Sequence, residues 1–186
     1  MHFPTFFKRI NKWWHLGLAI LLSALANFII FIRLRQFEEL TQGTPMIEVP
    51  RMIRENLYEV ANTYPAEALT IYQTQLQPLD ILLPIFSGAL FTVALAVFST
   101  RVFPENSRWR YLPVLGLLVT LFDWTHNLTV FFILRTLDTP VAWLELLSRG
   151  VLAVGVAVAY STLISVVTLF LLYLIRLLRG GRKPSI

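Results

Sequence analysis

The 186 residues contain no cysteine. That excludes a disulfide, a thiolate nucleophile and any Cys-ligated metal, and it leaves the redox compartment unread. Histidine is nearly as scarce, with His2, His15 and His126 only. His15 and His126 belong at opposite depths of a membrane-spanning chain, so no His pair forms. One histidine beside Asp123 and Asp80 is a poor ligand set, and neither a metal nor another cofactor is expected. No Gly-rich phosphate loop, nucleophile elbow or H-E-x-x-H helix occurs. Charge is thin as well. Charged residues make up 15% of the chain and hydrophobic ones 56%, and the mean hydropathy is +0.64, whereas soluble domains carry about 25% charged residues.

What the chain has instead is four long apolar blocks, at 16–32, 79–99, 111–134 and 151–175. Each is close to the ~20 residues that cross a hydrocarbon core of about 30 Å. The alternation of a transmembrane β-strand is absent. The expected fold is therefore all-α: a polytopic membrane protein forming one domain over 1–186, a four-transmembrane-helix bundle. Its spans are expected at about 14–33, 79–101, 111–135 and 143–177, with a short amphipathic helical segment, 34–78, outside between the first and second. The first block has a basic leader (Lys8, Arg9, Lys12) and an Ala24-Leu25-Ala26 stretch, as a cleavable signal peptide would. Its apolar run continues through Phe28 to Ile32, too long for that, and favours an uncleaved signal anchor.

The net charge of +5 reflects loop topology rather than a nucleic-acid surface. Lys8, Arg9, Lys12, Arg101, Arg108, Arg110, Arg176, Arg179, Arg182 and Lys183 fall on one side of a four-span chain. Arg33, Arg35, Arg51, Arg54, Arg135 and Arg149 fall on the other, with most of the acids. The positive-inside rule then places both termini in the cytoplasm and 33–78 outside an inner (plasma) membrane. Trp13, Trp14, Trp109 and Tyr111 mark one interface and Trp143 the other. The basic tail serves as a topology determinant that could also touch anionic lipid.

The outer segment reads as two short amphipathic helices. Pro50 opens one, with Ile53, Leu57 and Val60 or Ala61 on its apolar face. Pro65 opens the other, with Ala68, Ile71, Tyr72 and Leu76. They either ride at the interface or form a lid over a cavity.

The third block carries a polar stretch, LFDWTHNL at 121–128. Asp123, His126 and Asn127 are spaced i, i+3 and i, i+4 and share a helix face. Asn27, Asp80 and Arg149 fall at similar depth on the other spans. A bare charge facing lipid costs about 3 kcal/mol or more. Asn27, Asp80, Asp123, His126, Asn127 and Arg149 are therefore expected to point inward and satisfy one another, with Arg149 the partner of Asp123 or Asp80. The cluster serves either as a packing network or as a polar pocket for a small molecule or lipid headgroup. The sequon Asn127-Leu128-Thr129 lies within the span and is not a glycosylation site.

Tyr72 in the outer segment, Asp80 and Pro84 as Asp-x-x-x-Pro, Asp123 and Asn127 within Asp-x-x-Glu-Asn, and Arg149 early in the last span form a pattern. In it the chain resembles an uncharacterised group of bacterial four-helix integral membrane proteins. The resemblance implies the architecture and carries no activity with it. The chain departs at the Glu position, which is His126, so a proton-transfer role for that Glu is not implied here.

The expected function is binding, sensing or accessory work in the membrane. Expected partners are membrane lipids, a small molecule or lipid headgroup, and a second copy or another membrane protein; no nucleic acid is expected. One alternative is a membrane enzyme using Asp123 and His126 as an acid–base pair on a lipid-like substrate. Its catalytic residues stay unassigned, since the hydroxyls are few: Ser23, Ser87 and Thr120. Another is a purely structural network in a membrane complex. Transport finds no support, because the two helix pairs show no inverted repeat.

Overall fold

The computed structural model describes residues 5–179; His2 and the tail residues Arg182 and Lys183 lie outside them. Seven α-helices follow in order: α1 (Thr5–Arg9), α2 (Trp13–Leu40), α3 (Leu57–Asn62), α4 (Ala66–Ile71), α5 (Gln77–Val102), α6 (Val114–Arg135) and α7 (Ala142–Leu178). Short 3-10 turns stand at Pro50–Arg54 and Arg108–Tyr111, and no strand occurs among the described residues. Four helices are long and apolar enough to cross a membrane. The chain is an all-α, multi-pass membrane protein.

The segment between the first two spans differs from its expected form. α4 is not a separate surface helix. A π turn at Tyr72–Leu76 joins it to α5, where the Gln77 N–H reaches back to the Tyr72 carbonyl. The result is one helix of 37 residues over Ala66–Val102. At 1.5 Å per residue it runs about 55 Å, well beyond a ~30 Å core. Pro78 has no N–H to donate, and the chain passes it by widening into the π turn.

The other half of the segment, 41–65, is a packed cap. α2 closes at Thr41, where Gln42 (φ 52) and Gly43 (φ 83) enter the left-handed region. The Gly43 N–H reaches back to the Glu38 carbonyl at 2.9 Å, a helix end that favours glycine. α3 starts where the Asn56 side chain accepts from the Tyr58 and Glu59 amides. Glu145 of α7 accepts from the Leu57 amide at 2.9 Å. Three orphan amides at one helix start are thus satisfied, one of them by another span. The rings of Phe37, Tyr64 and Tyr72 meet edge-on or tilted over a core that includes Ile47, Leu57, Leu76 and Ile133. These are buried contacts, not a helix riding on lipid.

At the opposite end Arg101 donates to the Asn11 carbonyl, and Arg176 donates to the Arg101 carbonyl. The described ends of the chain meet there, beside a loop that buried Arg110 closes by bonding the Thr100 and Phe103 carbonyls. Between the two ends, α5 packs on α2, α6 and α7, and α6 packs on α7. α5 and α6 cross at Gly88 and Gly116, where a Cβ on either glycine would stand 2.8 Å from the other's carbonyl oxygen. Small residues of this kind let membrane helices touch backbone to backbone. Only 17% of the apolar window of α2 and 11% of that of α7 are buried in protein, so lipid covers their outer faces.

Gly88→Ala is therefore expected to force α5 and α6 apart and to destabilise the bundle by about 1–3 kcal/mol. Gly17→Ala, where a Cβ would meet nothing within 4 Å, serves as the control. Thermal unfolding in detergent, with a clear drop in Tm for the first and none for the second, is the check.

Candidate functional site

Pro84 lies inside α5. It has no N–H, so the Asp80 carbonyl one turn earlier loses its helical donor. In hydrocarbon no water can replace that donor. α6 replaces it: the Asn127 side-chain amide donates to the Asp80 carbonyl. Two more bonds follow along the same seam. The Trp124 indole N–H donates to the Ile81 carbonyl at 2.7 Å, and the Thr120 hydroxyl to the Pro84 carbonyl at 3.0 Å. Asp80 and Pro84 on one span and Asn127 on another act as one device that pins α6 to the proline-containing part of α5.

Asp80 itself is buried and turns its carboxyl toward Glu48. Glu48 comes from the cap, where buried Met46 and Ile47 precede it, and it reaches down among α5, α6 and α7. Asp80, Tyr72 and Asp123 are the side chains that act on it electrostatically. Glu48 borders two clefts, so the residue is partly accessible, but its Oε1 is buried. Glu48 faces the Asp80 carboxyl and the Tyr72 hydroxyl at hydrogen-bonding range, whereas Gln77 Nε2 is buried without a partner. Burial first, and the neighbouring Asp80 charge second, push the Glu48 carboxyl well above its ordinary range. Burial, followed by the Glu48 charge, raises the Tyr64 phenol.

The first cleft opens sideways between α5 and α6. It holds about 390 Å³, with Glu48, Gln77, Asp80 and Asn127 as its polar floor and Ile81, Trp124, Leu128 and Phe131 around them. The second lies between α6 and α7 and holds about 230 Å³. Glu48 borders it as well, together with Asp123, His126 and Gly155. His126 is buried, with its Nδ1 3.2 Å from the Ser148 hydroxyl and its ring against the backbones of Ser148 and Glu48. It ties α6 to α7 and to the Glu48 segment.

Four of the six residues expected to gather do so: Asp80, Asp123, His126 and Asn127 surround Glu48. Asn27 does not. It faces out from α2, because its amide is satisfied by the Ser23 carbonyl of its own helix at 2.8 Å. Arg149 does not reach Asp123 or Asp80. It lies 3.7 Å from Glu145, one turn away on its own helix, which is closer than any acid across the bundle. Glu48, Tyr72 and Gln77 were not expected in the cluster. The available signal was a lone acid inside the apolar stretch Met46-Ile47-Glu48-Val49, which reads equally well as a helix-start acid near Pro50. Among the described residues, no group of three or more His, Asp or Glu side chains is arranged to hold a metal ion. Comparison with protein-family models, curated proteins and solved structures yields no match.

Two outcomes are expected. Asn127→Leu should cost about 1 kcal/mol of stability, and clearly less in a Pro84→Ala background, where the restored N–H serves the Asp80 carbonyl. Chemical or thermal unfolding of the four proteins of that cycle measures the coupling. The second concerns pH. Folded Glu48 holds its proton above its ordinary pKa of 4.5, so over that window the native state binds more protons than the unfolded one. Stability then falls as pH rises from about 4.5. Glu48→Gln should flatten this part of a Tm-against-pH curve.

Proposed function

We propose that the protein binds an amphiphilic small molecule or lipid, which enters sideways from the membrane and places its polar head on Glu48 and Asp80. One observation carries this reading: two carboxyls, Glu48 and Asp80, buried against each other, and the unpartnered Gln77 amide nitrogen stand at the floor of an apolar cleft. An unpartnered buried group costs about 1–3 kcal/mol, and a buried carboxyl beside another is destabilising as well. A head group that both donates and accepts hydrogen bonds offsets that penalty. The volume of about 390 Å³ falls within the ~300–1,000 Å³ usual for small-molecule sites. The reading includes a bacterial inner membrane with both termini in the cytoplasm, supported by the ten-to-six distribution of basic residues and by the motif resemblance. The site then lies in the outer half of the membrane.

A second reading, proton-transfer catalysis on a lipid-like substrate, is favoured by the α6/α7 cleft. Asp123 and His126 both border it. Covalent catalysis has less support, because the Ser87 and Thr120 hydroxyls are bonded to helix carbonyls.

Native mass spectrometry of gently extracted protein, with lipidomics of what stays bound, tests the main reading. A single retained amphiphile is expected, lost in Glu48→Gln and Asp80→Asn while Tm does not fall. Retention of nothing by the wild type, with both variants merely unstable, would leave the cluster as a packing network and end the proposal.

A further inference from the structure

At the end of the bundle away from Glu48, the cations have no acid to meet. Three arginines converge on the last turn of α5. Arg101 folds its guanidinium back, and its Nη1 donates to the Val97 carbonyl at 2.6 Å and to the Asn11 carbonyl at 3.0 Å. Arg176 of α7 donates to the Arg101 carbonyl at 3.0 Å. Buried Arg110 donates to the Thr100 and Phe103 carbonyls at 3.2 and 2.9 Å. All of these acceptors are carbonyls. A helix C-terminus carries about half a negative charge, so three full positive charges stay largely unbalanced. Between Asp80 and Asp123 the sequence has one acid, Glu105, and the stretches 1–37 and 146–186 have none. Among the described residues the ion pair is Arg149–Glu145, at the opposite end.

The surplus charge sits at head-group level. Val97 is one turn deeper in the span than Arg101, so its carbonyl draws the guanidinium toward the membrane. There it lies 4.7 Å from the centre of the Trp13 ring, and that ring meets Tyr173 of α7 at 5.7 Å. Interfacial rings of this kind mark the boundary between hydrocarbon and head groups. Arg101 stays partly accessible and Arg176 is exposed. Both bonds of Arg101 use Nη1. That leaves the Nε and Nη2 edge, which can hold a phosphate by two parallel bonds.

We propose that this end of the bundle binds an anionic phospholipid, with its phosphate held by Arg101 and Arg176 beside Trp13 and Tyr173. The site is separate from the Glu48 cleft and does not depend on it. The charge balance selects the head. A choline head brings a cation of its own, which finds no acid here. A head without a cation, such as that of phosphatidylglycerol, leaves its whole negative charge to the arginines.

The test offers the full chain, in detergent, equal amounts of phosphatidylglycerol and phosphatidylcholine with the same acyl chains, and reads retention by native mass spectrometry. Phosphatidylglycerol should be retained about tenfold over phosphatidylcholine. Arg176→Gln, at an exposed position, should bring the two lipids level. Arg176→Lys keeps the charge but not the planar fork and should lose part of the preference. Arg108→Gln removes a charge from an exposed residue of the loop that carries Arg110 and should leave the preference intact. Equal retention of the two lipids by the wild type, or a loss in Arg108→Gln as large as in Arg176→Gln, overturns the site. Displacement of the lipid by a modest excess of glycerol 3-phosphate makes it a soluble-phosphate site and overturns the lipid assignment. Glu48→Gln should leave the preference unchanged; a preference that vanishes there belongs to the Glu48 cleft and overturns this inference.

Discussion

Inside a bilayer a backbone carbonyl without a donor has no water to turn to. Pro84 creates such a carbonyl at Asp80, and the rest of the site follows from how it is satisfied. Asn127 must stand opposite it, which sets the rotation of α6 against α5. That rotation brings Trp124 to the Ile81 carbonyl and Thr120 to the Pro84 carbonyl, and it leaves Gly88 facing Gly116. It also turns the Asp123 and His126 side of α6 toward α7. One missing N–H thus orients the helix that carries most of the polar residues.

The cap completes what the helices begin. Phe37, Tyr64 and Tyr72 anchor it over the bundle, and Glu145 of α7 holds the start of α3. Held this way, the chain before Pro50 dips far enough to set Glu48 between Asp80 and Asp123. A carboxyl buried beside other carboxyls is a stressed arrangement, and nothing in the packing of the cap requires an acid at that position. The stress and the open cleft occur at the same place, which supports the proposal of a ligand site there.

The four spans and their order were legible in the sequence, because a run of about 20 apolar residues has few other uses. The shared face of Asp123, His126 and Asn127 was legible too, since i, i+3 and i, i+4 spacing is a property of any helix. The partner of Asn127 was half visible: Pro84 announces a free carbonyl four residues earlier, but no local rule says which neighbour will serve it. Arg149 was misread because a depth argument compares spans and overlooks Glu145, one turn away on the same helix. Asn27 was misread for a similar reason, since the Ser23 carbonyl of its own helix satisfies its amide and removes the need to face inward.

The sequence by itself determined fold class, span number and the helix that bears the polar face. These are local properties, set by length, apolar content and helical period. Only the tertiary structure decided that Glu48 belongs to the cluster, that α4 continues into α5, and that α5 and α6 touch at Gly88 and Gly116. Those depend on where a non-helical segment lands, on a π turn that carries the chain past Pro78, and on two glycines from different spans meeting. Each is a distance between residues far apart in the chain, and periodicity along the chain carries no information about such distances.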